Sequence, residues 1–382
     1  KDKTTEAIIL TLMSASGFML MIDAENFMML FIGLEIGSIS LYALAGINRG
    51  DLLSNEAALK YFLLGSLASC VLVYGVALIY ISLSISGFYD TAIAISYIGP
   101  PNVPLTTFIG FLLLVVGLLF KVAAAPFQSW APDVYQGSPT GYVGYMASVA
   151  KVASFLVLCR LCVVSLRFVI DNFDLFFLVV VIASIFIGSF FATVQSDLKR
   201  LIAYSGVIQS GFILSGIVSG VNGTSASIFY ITAYVIQLIG IFIIFTVISG
   251  RLSSNFSIEN LSGLFVENKF LTTCFSIFML GLAGIPLTSG FISKFILITN
   301  LWSYESYLLV VILMLSTVAG FYFYLRPIWI AAIEKSESPV EKITLSRSHV
   351  LSLSVLAFAT IYFGLLPNSL INISRWVIQN YL

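Results

Sequence analysis

Charge is what this sequence has least of. Of its 382 residues 9% are charged, against about 25% in globular domains. Its 59% hydrophobic content and mean hydropathy of +1.05 exclude a water-soluble domain. The 18 basic and 18 acidic side chains cancel, so there is no basic patch of the kind that draws nucleic acid. Histidine is nearly missing: His349 stands alone, in a polar stretch before the last apolar run. The four cysteines, Cys70, Cys159, Cys162 and Cys274, all lie in apolar runs. Cys159 and Cys162 make one isolated CxxC, and a structural zinc site needs about four ligands, so no metal site is expected and packing is the better reading. No phosphate loop, dinucleotide fingerprint or catalytic triad stands out, so no cofactor is expected in this chain. A cleavable signal pattern is also lacking. The first residue is Lys1 rather than Met, which suggests a processed or trimmed start.

What fills the chain instead is apolar runs. A spanning helix needs about 20 apolar residues. About eleven stretches qualify: 7–22, 27–47, 57–82, 105–136, 141–165, 174–195, 200–220, 227–249, 270–301, 307–327 and 350–366. The expectation is an all-α polytopic membrane protein. Alternate loops then divide the basic residues unequally. Lys1, Lys3, Arg49, Lys199, Arg200, Arg251, Lys269, Arg326, Lys335, Lys342 and Arg347 fall on one side, and only Arg167 and Arg375 on the other. That bias places the N-terminus inside and the C-terminus outside. Arg160, near the outer end of its helix, can snorkel.

Four lysines sit deeper: Lys60, Lys121, Lys151 and Lys294. The main acid at similar depth is Glu35, inside LFIGLEIGSISLYAL. Charges at membrane depth are costly and mark ion paths by default. Two of the apolar runs are interrupted. In 105–136 Lys121 precedes Pro126; in 270–301 Pro286 and Gly290 precede Lys294. Runs one to five and six to ten superpose in order, with the interrupted run fourth in each set. Interrupted helices at corresponding positions point to inverted repeats around an ion site. The expected organisation is a first five-helix repeat over 1–165, a second inverted one over 166–327, and a polar loop, final spanning helix and C-terminal segment over 328–382.

Several motifs are specific: FKVAAAPFQSWAPDVYQGSPT at 120–140, NEAALKYFLLGSLAS at 55–69, LKRLIAYSG at 198–206 and AGIPLTSGFISKF at 283–295. They resemble the antiporter-like membrane subunits of respiratory complex I, which are related to Mrp-type antiporters. The closest likeness is to the subunit-2 or N-type member, from about Glu25 to Tyr324. The resemblance implies proton transfer through Glu35, its ion-pair partner Lys121, the central Lys151, and Lys294 of the second broken helix. Lys60 matches a further family lysine, and snorkelling is an equal reading for it. Relatives commonly carry His where this chain has Gln128 and Gln209. Glutamine does not titrate near neutrality, so these two are expected to orient water. Asp133 and Tyr135 read as turn residues; Lys199 and Arg200 read as basic anchors.

The likeness further implies a core subunit of NADH:ubiquinone oxidoreductase, with FMN, iron–sulfur clusters and ubiquinone held by partner subunits. Expected partners are other membrane-arm subunits, including antiporter-like and small ones, and lipids such as cardiolipin. Relatives usually have fourteen helices, so three N-terminal ones are expected to be missing, as in shortened mitochondrial forms. That suggests the mitochondrial inner membrane, with the N-terminus in the matrix and the C-terminus in the intermembrane space. The rival readings are a non-pumping structural subunit of the same complex and a free-standing sodium/proton antiporter.

Overall fold

In hydrocarbon every backbone N–H and C=O must find its partner within the protein. This chain answers with helices. The computed structural model describes residues 2–249, 256–334 and 342–381. Among them there is no strand, only the isolated bridges Asn26–Gly87 and Asp197–Ser257. Lys1, Arg251 and Lys335, counted above among the basic loop residues, lie outside the described residues.

The chain divides into two compact units, Lys1–Val180 with the last two residues, and Val181–Asn380. The division falls inside one continuous helix rather than at the expected 165/166 boundary. The apolar run from Asp174 to Val194 is unbroken, so it folds as a single helix through that point. The first unit contains α1 (Asp2–Ile22), α2 (Phe27–Ala45), α3 (Leu52–Leu83), α4 (Phe88–Ile98), α5 (Leu105–Lys121), α6 (Trp130–Gly137), α7 (Thr140–Tyr145), α8 (Lys151–Arg160) and the start of α9 (Asp174–Val194). The second contains α10 (Leu198–Ile217), α11 (Gly220–Ser249), α12 (Leu264–Glu267), α13 (Lys269–Ala283), α14 (Ser289–Ser303), α15 (Tyr307–Ile333), α16 (Arg347–Leu365) and α17 (Asn368–Tyr381).

Polar caps set where helices begin. The Asn26 side chain accepts from Met29 N at 2.8 Å to start α2, and Asp51 accepts from Leu53 N at 3.0 Å to start α3. Asp197, Asn268 and Thr288 do the same for α10, α13 and α14. Each satisfies a donor that the first turn leaves orphaned. His349 is not in a loop: Ser346 accepts from its backbone N–H, and it lies in the first turn of α16. α15 runs on past Pro327 to Ile333, where the sequence reading ended it at the proline.

Eight helices among the described residues are long and apolar enough to cross a membrane. The other three expected crossings differ for physical reasons. The runs 105–136 and 270–301 are each split into shorter helices, α5 with α6 and α13 with α14. α10 spans 20 residues, but Ser205, Gln209, Ser210 and Ser215 dilute its apolar character. All four are buried in protein, where polar side chains can find partners.

α4, with 11 residues, and α17, with 14, fall short of spanning length. α4 buries Phe88, Thr91, Ala92 and Ile95 and exposes Tyr89 and Tyr97. α17 buries Leu370, Ser374 and Ile378, spaced one turn apart, and exposes Ile373 and Trp376. Leu370 meets Phe229 and Ala233 of α11.

Candidate functional site

The first interruption begins where α5 ends at Lys121. The helix closes by Ala123 N donating to Phe120 O and Ala124 N donating to Leu119 O, both at 3.0 Å. Ala123 takes a positive φ of 55° to do so. Pro126 cannot donate a backbone hydrogen bond, and α6 resumes only at Trp130. The freed end is held by side chains. The Trp130 indole N–H donates to Phe120 O at 2.9 Å. Its ring stacks on Tyr61 of α3, with centroids 4.6 Å apart and planes 11° apart.

Lys121 is buried. Its ammonium donates to Ser38 Oγ at 3.0 Å and to Tyr42 Oη at 2.9 Å. Both belong to α2, as does Glu35. The spacing 35, 38, 42 puts all three on one face of that helix. The resemblance implied a direct Glu35–Lys121 ion pair. Among the described residues no such pair lies within 4.0 Å, and Glu35 Oε1 is buried without a hydrogen-bond partner. Two hydroxyls hold the ammonium instead, three and seven residues further along.

Lys151 is buried as well and opens α8, immediately after a π-helical turn at Met146–Ala150. Such turns are rare and recur at functional positions. Within that turn the Ser148 hydroxyl donates back to Gly144 O at 2.7 Å. A second π turn, Leu161–Ser165, follows α8. Cys159 and Cys162 lie at this transition, buried and free.

Three residues of this unit behave differently from their sequence reading. Asp133 and Tyr135 are helical, inside α6, not in a turn. Lys60 Nζ lies 2.7 Å from both Glu56 Oε1 and Asp133 Oδ2, so it ties α3 to α6 rather than only snorkelling. Its side chain is 40% exposed. Arg160 donates to Ala24 O at 2.7 Å and stacks over the Phe88 ring at 5.2 Å. It thereby satisfies a carbonyl just beyond the end of α1. Gln128 is half-buried beside Pro126, its Oε1 buried with no partner among the described residues.

The second interruption lies between α13 and α14. Gly284 has φ +84° and Leu287 φ +76°. The bend brings Gly290 so close to Gly281 O that no side chain fits there. Lys294, one turn on, is buried and folds back over the break. Its ammonium donates to Ala283 O at 2.9 Å and Leu282 O at 3.1 Å. These are carbonyls that the end of α13 leaves without helical donors.

Gln209 reaches the same place from α10. Its Nε2 donates to Leu282 O at 3.4 Å and to Tyr324 Oη of α15 at 3.0 Å. Tyr230 of α11 donates to its Oε1, and Ser205 is bonded to Tyr324 Oη. The amide is thus engaged by protein groups at both ends, which corrects the expectation that it orients water. Tyr230 and Tyr324 escaped the sequence reading. The missed signal was two tyrosines inside apolar runs, since a buried hydroxyl demands a partner.

Apolar helices of spanning length, beside two broken apolar runs with a lysine at each break, define a polytopic α-helical membrane protein with ionisable groups in its interior. Residues 24–320 match the family described as NADH:quinone oxidoreductase/Mrp antiporter, TM, and the chain belongs to that family. It is 34% identical over 369 residues to NADH-quinone oxidoreductase subunit N of Trichlorobacter lovleyi, covering 96% of this chain and 76% of that protein. It is 33% identical over 388 residues to the chloroplastic NAD(P)H-quinone oxidoreductase subunit 2 of Chlorokybus atmophyticus, covering 97% and 75%. Among solved structures it matches a chain of respiratory complex I from Thermus thermophilus with bound aureothin. The TM-score is 0.83 and the identity 29%, over 96% of this chain and 79% of that one. The Mrp complex from Dietzia sp. DQ12-45-1b shares the fold, at TM-score 0.86 and 20% identity over 97% of this chain and 77% of its own.

Proposed function

We propose that this chain is a proton-translocating core subunit of NADH:ubiquinone oxidoreductase. Glu35, Lys121, Lys151 and Lys294 exchange protons along the interior of the membrane, and Gln128 orients water between them. The carrying observation is that Lys121, Lys151 and Lys294 are buried inside apolar helices, two of them at helix breaks. A buried lysine is strongly sensitive to its surroundings, since burial disfavours charge and a nearby carboxylate favours it. Small movements at a break therefore change whether the site keeps its proton. Supporting features are the likeness to subunit N proteins and the negative ends of two half-helices, suited to hold cations.

In this reading the sequence holds two inverted five-helix repeats, 1–165 and 166–327, followed by a terminal segment. FMN, iron–sulfur clusters and ubiquinone belong to partner subunits. The chain sits among other membrane-arm subunits in cardiolipin-containing membrane. Its location is the mitochondrial inner membrane, with the N-terminus in the matrix and the C-terminus in the intermembrane space.

The test uses Lys151→Met and Lys151→Arg in the assembled complex, reading protons translocated per NADH oxidised in sealed vesicles. Arginine keeps charge but does not release a proton under these conditions. Both variants are expected to lower the ratio while the complex assembles normally. Wild-type ratios in both would leave the chain a structural subunit.

A further inference from the structure

We infer that Gln209 is a positioning residue for Lys294, held beside it by Tyr230, Tyr324 and the shared carbonyl of Leu282. This rests on the proton-transfer reading of Lys294 and adds the residues that set its geometry.

The argument is one of donors and acceptors. A primary amide offers two N–H donors and one carbonyl acceptor, and it can flip where its neighbours allow. Here one of them, the Leu282 carbonyl, does not. With Nε2 turned to Leu282 O, Oε1 faces α11 and accepts from the Tyr230 hydroxyl. The two acceptors, Leu282 O and Tyr324 Oη, then both face Nε2. Tyr324 accepts from Gln209, so its own proton is free for Ser205 Oγ on the helix that carries Gln209. Ser205, Gln209, Tyr230, Tyr324 and Lys294 are all buried, so water does not compete for these bonds as it would at a surface. A flipped amide would still meet both tyrosine hydroxyls, which donate or accept, but would set Oε1 against the Leu282 carbonyl and lose that bond.

Leu282 O is the joint. It accepts from Gln209 Nε2 and from the Lys294 ammonium, and Ala283 O completes the ammonium's cradle. A carbonyl has two lone pairs, and both are used. The amide thereby holds the same frayed end of α13 that Lys294 holds. The lysine meets a carbonyl whose direction is fixed by three helices, α10, α11 and α15. Neither glutamine nor the backbone carbonyl is a proton carrier in this arrangement. What passes through the network is position: where the ammonium sits when charged, and to which place it returns after losing its proton.

The test uses the assembled complex with Gln209→Leu, Gln209→His, Tyr324→Phe and the double variant Gln209→Leu/Tyr324→Phe. Lys294→Met is run in parallel. The readouts are protons translocated per NADH oxidised, the NADH oxidation rate, and the amount of assembled complex. Gln209→Leu is expected to lower the proton ratio severalfold at unchanged assembly, and Tyr324→Phe to lower it less. The double variant is expected to match Gln209→Leu alone, because groups in one network are not additive. Gln209→His, which can place a ring N–H toward Leu282 O and a ring nitrogen toward Tyr230, is expected to recover most of the ratio. A purely packing role would lower assembly and oxidation together, give additive losses and show no recovery with His; that result overturns the inference. Wild-type ratios in Gln209→Leu with a lowered ratio in Lys294→Met also overturn it, leaving the proton-transfer reading intact. An unchanged ratio in Lys294→Met would remove that reading instead.

Discussion

At the first break the ammonium leaves the helix that carries it; at the second it closes onto the break itself. Lys121 is the last residue of α5 and reaches the hydroxyls of Ser38 and Tyr42 on α2. Lys294 belongs to α14 and returns to the last carbonyls of α13. Both stand at the negative end of a half-helix, where a cation is favoured. They differ in what they depend on. The first is held by two side chains that rotate and share a helix face with Glu35. The second is held by backbone, which moves only if the break moves. An ammonium on hydroxyls can be handed to a neighbouring carboxylate by side-chain rotation. One on helix-end carbonyls needs a change in the helices themselves.

The largest expected effect is at the backbone-dependent break. A leucine at Gly290 would run into Gly281 O, where backbone cannot give way. Overpacking of this kind costs about 1–3 kcal/mol and occasionally more, and here the upper end is expected. The Gly290→Leu chain should accumulate little in the assembled complex, as measured by native gel. Normal assembly would mean that the second break is as adaptable as the first.

Next comes removal of each ammonium. Lys294→Met leaves Ala283 O buried without its cation, and an orphaned buried acceptor costs about 1–3 kcal/mol. Lys121→Met leaves two hydroxyls that can rotate toward other acceptors, so its cost should be smaller, about 1 kcal/mol. Thermal unfolding of the two purified variants checks the order. A less stable Lys121→Met would invert the comparison.

A smaller effect sharpens it further. Ser38→Ala combined with Tyr42→Phe removes both hydroxyl partners of Lys121. The ammonium should then turn to Glu35, whose Oε1 is free of hydrogen bonds. A structure of the double variant should show a direct ammonium–carboxylate contact. If Lys121 stays away from Glu35, rotation is not what separates them.

The smallest effect belongs to Lys60→Met. Its pairs with Glu56 and Asp133 are short, but the side chain is 40% exposed. Exposed ion pairs contribute about 0–1 kcal/mol. Stability should change by no more than that, and proton translocation should stay near wild type. A large loss of translocation would add Lys60 to the path.

Much of this was written in the order of residues. Apolar runs of sufficient length have one outcome in hydrocarbon, a helix, because nothing else satisfies the backbone. Pro126, and the Gly284 to Gly290 segment around Pro286, end helices for local reasons of missing donors and positive φ. The depth of Lys121, Lys151 and Lys294 follows from their place in those runs. The pattern of α4, with Phe88, Ala92 and Ile95 on one face, is also present, in a segment too short to span.

Which group each buried charge meets was decided only by tertiary structure. Glu35, Ser38 and Tyr42 share a face of α2, and sequence spacing offers all three to Lys121 equally. The approach of α5 selects the latter two. Asp133 is 73 residues from Lys60, and Tyr324 is 115 from Gln209. No local rule links positions so far apart. Hydrogen bonds act over about 3 Å and need direction, so their partners exist only once helices have packed. Apolar burial has no direction and can be read along the chain; the pairing of buried polar groups cannot.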